Sequence, residues 1–236
     1  MAPAAPACLL SQCRSGSRCG TVRQARTLLT MEIRTAAGPA QAEVDRTDRP
    51  AFLLVLTHGA GGGVTGADLM AAGAAARERG GTVVRVLQPY RVAGARAPGS
   101  AARQDAAWLE IIAALRERYP GLALVQGGRS NGARLACRTA QAVGAVAVIA
   151  LAFPLHPPGK ALQPESSRAG ELRSAGVPVL VINGDRDPFG VPDAADTNRL
   201  VVLAGQTHAL PGAKAAITSA VSSWLAELAI GSVPVD

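Results

Sequence analysis

The chain has 236 residues, 48% of them apolar and only 3% aromatic, with a formal net charge of +7. That suits one core-bearing domain built from Ala, Val, Leu and Ile, and no apolar stretch is long enough to span a membrane as a helix. Residues 1–30 hold Arg14, Arg18, Arg23 and Arg26 and no acid, so four of the seven excess charges sit there; no aromatic-and-basic stripe follows, which argues against a nucleic-acid partner.

The first thirty residues show neither helical nor strand periodicity and lack the apolar centre of a secretory signal. They are expected to be a disordered basic tail, most simply an extension ahead of a native start at Met31; a transit peptide is the looser fit. Cys8, Cys13 and Cys19 follow no zinc spacing and have no histidine near them. The remaining cysteine, Cys137, reads as a small core residue. The expected domain is 31–236.

From Met31 onward the pattern alternates. Residues 32–35 and 41–44 suggest an opening hairpin. FLLVLT over 52–57 is a buried strand that runs into HGAGGG. A helix follows over 67–79, stopped by Gly80 and Gly81, and then a strand over 82–87 and the loop QPYRVAG over 88–94. Ser100 caps a long helix over 101–119, which Pro120 and Gly121 close. Residues 122–126 form a strand, and 133–140 the start of a helix. Further strands lie over 145–152, 177–183 and 199–203. Helices lie over 163–175 and 212–228. Continuous β-branched runs between helical segments point to an α/β fold with a mostly parallel sheet covered on both faces. Ligands of such sheets bind beyond the carboxyl ends of the strands.

Between the strand at 122–126 and the next helix stands Gly128-Arg129-Ser130-Asn131-Gly132. This G-x-S-x-G pattern is a nucleophile elbow: a sharp strand-to-helix turn that exposes a serine hydroxyl, with glycines where a Cβ would not fit. A serine hydroxyl is a weak nucleophile unless a base takes its proton. The order serine, acid, histidine leaves His208 as the base, since His58 and His156 precede any suitable acid. The acid comes from NGDRDPFG, which offers Asp187 and Asp185; triad order favours Asp187. The oxyanion hole needs two backbone N–H groups. Asn131, next to the nucleophile, supplies one. Ala60 supplies the other from the His58-Gly59-Ala60-Gly61 loop, with Gly61 the next choice.

Each residue also has a plainer reading. Ser130 alone could be a turn serine, Asp187 a turn residue before Pro188, and His208 a structural histidine. Gly61, Gly62 and Gly63 could cradle a phosphate, but no Lys-Ser/Thr follows and no ribose acid fits. The joint order, each element at a strand's carboxyl end, favours the catalytic reading. His58, Gly59, Gly61, Arg129 and His156 are the residues expected to line or shape the substrate site. Arg129 and Arg186 would otherwise stiffen loops through ion pairs, the preferred account of both. Trp108 reads as core packing.

Taken together, LTHGAGGG, QPYRVAG, GGRSNGAR, FPLHPPGK, NGDRDPFG and the terminal THAL resemble the small lidless α/β-hydrolases labelled dienelactone-hydrolase-like. The resemblance is strongest to their uncharacterised bacterial branch, related to the hydrolase-like domain of subunit three of the NSL chromatin complex. It covers about residues 50 to 230. It implies Ser130 as nucleophile, Asp187 as acid and His208 as base, with Gln206 and Thr207 a mild departure. Some eukaryotic relatives look non-catalytic. The expectation is a cytoplasmic serine hydrolase acting on a small-molecule acyl ester or thioester, without cofactor or metal. The alternative is a binding or scaffold protein that kept the fold and lost turnover.

Overall fold

The computed structural model describes residues 28–161 and 163–231. Most of the expected tail, with Cys8, Cys13 and Cys19, lies outside the described residues. Eight strands form one sheet in the order β1-β2-β4-β3-β5-β6-β7-β8. The strands are β1 Leu28–Ile33, β2 Ala40–Asp45, β3 Phe52–Thr57, β4 Gly81–Leu87, β5 Ala123–Arg129, β6 Ala147–Leu151, β7 Val179–Gly184 and β8 Arg199–Leu203. β2 runs antiparallel to both β1 and β4, and every other pairing is parallel. The helices are α1 Ala67–Glu78, α2 Pro89–Val92, α3 Ala101–Arg118, α4 Asn131–Thr139, α5 Ala169–Arg173 and α6 Lys214–Glu227.

Alternate residues of the sheet feed two cores. Leu53 and Val55 of β3 face α3 and α4, where Trp108, Ile111, Leu115 and Leu135 are buried. Phe52, Leu54 and Leu56 face α1 and α6, against Leu69, Ile217, Val221 and Trp224. All six residues of β3 are buried, which is why FLLVLT carries no polar alternation. The first core contains one polar tie. Trp108 Nε1 donates to Gln126 Oε1 at 2.8 Å, and Gln126 Nε2 donates to Ala136 O at 2.7 Å. This joins α3, β5 and α4 directly beneath the elbow. Cys137 is buried in the same core.

The structure departs from the sequence expectation at four places. β1 begins at Leu28, and Thr35 belongs to the turn, which closes through Gly38 N to Thr35 O at 3.0 Å with Gly38 at φ +112°. β5 continues through Gly127 and Gly128 because β3 and β6 hold it in register on both sides; glycine's poor strand preference hides that. The loop after β4 contains the short helix α2, with Pro89 at its first position, where a missing N–H costs nothing. The helix expected over 163–175 divides into a 3₁₀ turn, Pro164–Ser166, and α5. Ser166 Oγ lies 2.8 Å from Gln163 O, and Ala169 N donates to Ser167 Oγ at 3.3 Å. Such side-chain bonds compete with a continuous helical ladder. Ser100 caps α3 as expected, its hydroxyl accepting from Arg103 N.

Candidate active site

The elbow is built by steric exclusion. A Cβ on Gly128 would lie 2.6 Å from the Gly132 backbone and 2.7 Å from Thr57 O. One on Gly132 would lie 2.7 Å from both Thr57 O and His58 O. Both glycines therefore let α4 start hard against the end of β3. Between them Ser130 adopts φ +53°, ψ −113°, a conformation that costs a non-glycine residue of order 1–3 kcal/mol. Its N–H still pairs with Leu151 O at 2.8 Å, and its carbonyl accepts from Ala133 N at 3.0 Å. The backbone is thus fixed on both sides while the hydroxyl projects from the corner.

That hydroxyl meets His208. Ser130 Oγ is 2.9 Å from His208 Nε2, and His208 Nδ1 is 2.8 Å from Asp187 Oδ2. A carboxylate only accepts, so Nδ1 carries the proton and Nε2 is left to accept from the serine. The Asp187 side chain is fully buried. It also accepts from Phe189 N at 2.9 Å and from Asn183 Nδ2 at 3.4 Å. The Phe189 ring stands edge-on to the imidazole at 4.5 Å. Asp185 is exposed two residues earlier. The structure therefore brings Asp187 to the histidine. Leu210, at φ +49°, donates to Thr207 O at 2.9 Å and closes the turn that carries His208.

Opposite the histidine lies the loop after β3. Gly59 is buried, and a Cβ there would sit 3.2 Å from Ser130 Cβ and 3.3 Å from Arg129 Nη1. Gly62 N donates to Gly59 O at 3.0 Å, making Ala60 and Gly61 the centre of a turn. Tyr90 OH donates to Ala60 O at 2.9 Å. Burial pushes the Tyr90 hydroxyl up to about 12 against the opposing pull of Arg91, so it remains a donor. Gly61 is exposed, and a Cβ there would meet nothing within 4 Å. Asn131 opens α4, so its N–H is one of those that a helix start leaves without an intrahelical acceptor. Its side chain donates to Gln104 Oε1 at 2.6 Å.

The remaining expected site residues hold loops. His58 is fully buried. Its Nδ1 donates to Gly59 O at 2.8 Å and its Nε2 accepts from Gln88 N at 3.0 Å. Both nitrogens are committed to backbone, and burial holds the imidazole pKa below its usual value. The His58 ring therefore supports the loop from within. Arg129 Nε pairs with Asp68 at 2.8 Å, and Arg129 Nη2 donates to His208 O at 3.0 Å. His156 Nδ1 lies 2.9 Å from Ser166 Oγ, and its N–H donates to Phe189 O at 2.8 Å. It links the β6–β7 connection to the Asp187 loop. Asn183, Phe189, Gln104, Tyr90 and Asp68 escape the sequence reading; Gln104, Tyr90 and Asp68 act through partners that only the fold brings near, whereas Asn183 and Phe189 bond Asp187 from within the same short segment.

The model of the alpha/beta hydrolase domain matches residues 50–215. No curated protein matches the sequence. Similar solved structures include a serine hydrolase without a lid from Xanthomonas campestris, 20% identical, with a TM-score of 0.69 and coverage of 88% of this chain and 97% of that one. Dienelactone hydrolase from Anabaena variabilis is 15% identical, with a TM-score of 0.66 and coverage of 86% and 98%. An esterase domain from a Rhodothermus marinus protein is 14% identical, with a TM-score of 0.64 and coverage of 85% and 98%. At these identities the likeness is one of fold.

Proposed function

This chain belongs to the α/β-hydrolase family, and on that premise we propose that it is a serine hydrolase that cleaves an ester, thioester or related acyl bond through a covalent acyl-serine. The observation that carries the reading is the continuous chain from Ser130 through His208 to Asp187, at 2.9 and 2.8 Å. A His208 ring out of reach of either partner would have favoured a non-catalytic scaffold; its position supports turnover.

In this mechanism His208 Nε2 takes the hydroxyl proton as Ser130 Oγ attacks the acyl carbon. Charge moves to the former carbonyl oxygen, where the N–H groups of Ala60 and Asn131 stabilise it. Collapse of the tetrahedral adduct expels the alcohol or thiol, which leaves with the proton held by His208. A water molecule, deprotonated by the same nitrogen, attacks the acyl-serine, and the second adduct releases the acid and restores Ser130. Asp187 keeps the proton on Nδ1 and stabilises the imidazolium. Gly59 and Gly61 leave room beside the acyl oxygen, while His58, Arg129 and His156 keep the surrounding loops in place.

A fluorophosphonate probe with intact-mass readout tests this. The reading requires one adduct on the native protein and none on Ser130→Ala. A folded native protein that takes no adduct would favour the scaffold reading.

A further inference from the structure

Between the β1–β2 turn, α2 and the first turns of α3 lies a half-open cavity of about 250 Å³. Its walls are mainly alanine and proline, including Pro89, Ala93, Ala97 and Ala107. Arg103 is the one charged residue among them, and it is exposed. Ser130 is not part of this lining. Two lining residues nevertheless reach the catalytic machinery. Tyr90 forms one wall and gives its hydroxyl to the carbonyl of Ala60. Gln104 forms another and accepts from the side chain of Asn131. Gln104 is itself buried and also donates to Ser100 O at 3.2 Å. The two residues that flank the cavity thus hold the two residues whose N–H groups are assigned to the oxyanion.

We propose that this cavity is the subsite for the acyl arm of the substrate, and that it selects a compact, uncharged hydrocarbon arm of arylalkanoyl size. The proposal rests on the serine-hydrolase reading and adds its substrate class. The location follows from the contacts: an acyl group on Ser130 has its oxygen between Ala60 and Asn131, and both residues abut cavity walls. The chemistry follows from the lining, where small apolar side chains offer burial and few hydrogen-bond partners. A sugar or peptide arm would lose its water contacts without replacement. Size follows from volume. A cavity of ~150 Å³ holds benzene, so this one takes a phenyl ring with a short linker, whereas a long fatty chain would have to emerge through the mouth.

The test is a series of p-nitrophenyl esters, from acetyl through butanoyl to 3-phenylpropanoyl and dodecanoyl. It is run on the native protein, Ser130→Ala, Ala93→Phe and Ala97→Phe. Both alanines are exposed, so the larger rings fill the mouth without disturbing a core. On the native protein kcat/KM is expected to rise by about tenfold or more from acetyl to 3-phenylpropanoyl, as apolar pockets give, and to fall again at dodecanoyl. In either phenylalanine variant the 3-phenylpropanoyl-to-acetyl ratio should fall by about tenfold. A flat series on the native protein, or a ratio that neither variant moves, overturns the subsite while Ser130-dependent turnover of the acetyl ester still stands. Folded protein that turns over none of the esters overturns the hydrolase reading and the subsite with it.

Discussion

The two sides of the site are held by different forces. On the donor side, the loop after β3 is fixed through its backbone: His58 bonds Gly59 O and Gln88 N, Tyr90 bonds Ala60 O, and Arg91 bonds Gly62 O. On the acid–base side, His208 is held by charged groups, with Asp187 on its ring and the Asp68–Arg129 pair on its carbonyl. His58 is fully buried, whereas 17% of the His208 side chain is exposed. The difference matches the tasks proposed for each side. Oxyanion donors need only be immobile and aimed at the developing charge, which these bonds to the loop backbone secure. A proton carrier alternates between neutral and charged forms, so it needs a carboxylate at one nitrogen and open reach at the other.

Damage to the charged side should cost the most activity. Asp187→Asn is predicted to lower kcat by about 10⁴-fold, since an amide can leave the wrong tautomer facing Ser130; steady-state turnover of the best ester, with circular dichroism to confirm folding, checks it. On the donor side, Gly59→Ala would place a methyl group 3.2 Å from Ser130 Cβ and 3.3 Å from Arg129 Nη1. Misplacing the loop relative to the nucleophile should lower kcat by about 10²-fold, with the melting temperature little altered. Arg129→Met removes the partner of buried Asp68 and the clamp on His208 O. A loss of about 2–3 kcal/mol in urea unfolding is expected, and adding Asp68→Asn should recover part of it, because the uncompensated charge is then gone.

The smallest effect is a pH dependence of stability on the donor side. The His58 pKa is lowered by burial from its ordinary 6.5, so the unfolded chain binds the proton more readily than the folded one. Its contribution is therefore complete above pH 6.5 and is lost as pH falls through that value toward the folded pKa. Melting temperatures measured from pH 7.5 down to about pH 5 should decline, and the slope should lessen in His58→Asn. An unchanged slope would mean that His58 does not couple to folding as its two backbone bonds imply.

What the sequence made legible follows from interaction range. Strands β3 and β8, the Ser100 cap and the elbow glycines are local patterns, and they match the structure. The order of Ser130, Asp187 and His208 is legible because each follows the carboxyl end of a strand in a fixed topology. The ties that hold them are not. Arg129 is 61 positions from Asp68, and Tyr90 is 30 from the carbonyl it holds; no spacing rule connects either pair. Asp187 could be preferred over Asp185 only by position, whereas burial separates them: one is closed in by Phe189 and Asn183, the other lies at the surface. The broken helix after β6 is a local feature: Pro164, Ser166, Ser167 and Gly170 interrupt residues 163–175, and the side chains of Ser166 and Ser167 bond neighbouring backbone.

The most direct measurement of the central claim is rapid-quench intact mass spectrometry of the protein mixed with p-nitrophenyl acetate, followed by peptide mapping. The account predicts a transient gain of one acetyl group on the peptide containing Ser130, absent in Ser130→Ala and slowed in its formation in Asp187→Asn. Folded protein that releases acetate with no acyl group on Ser130, or with the group on another residue, would contradict it.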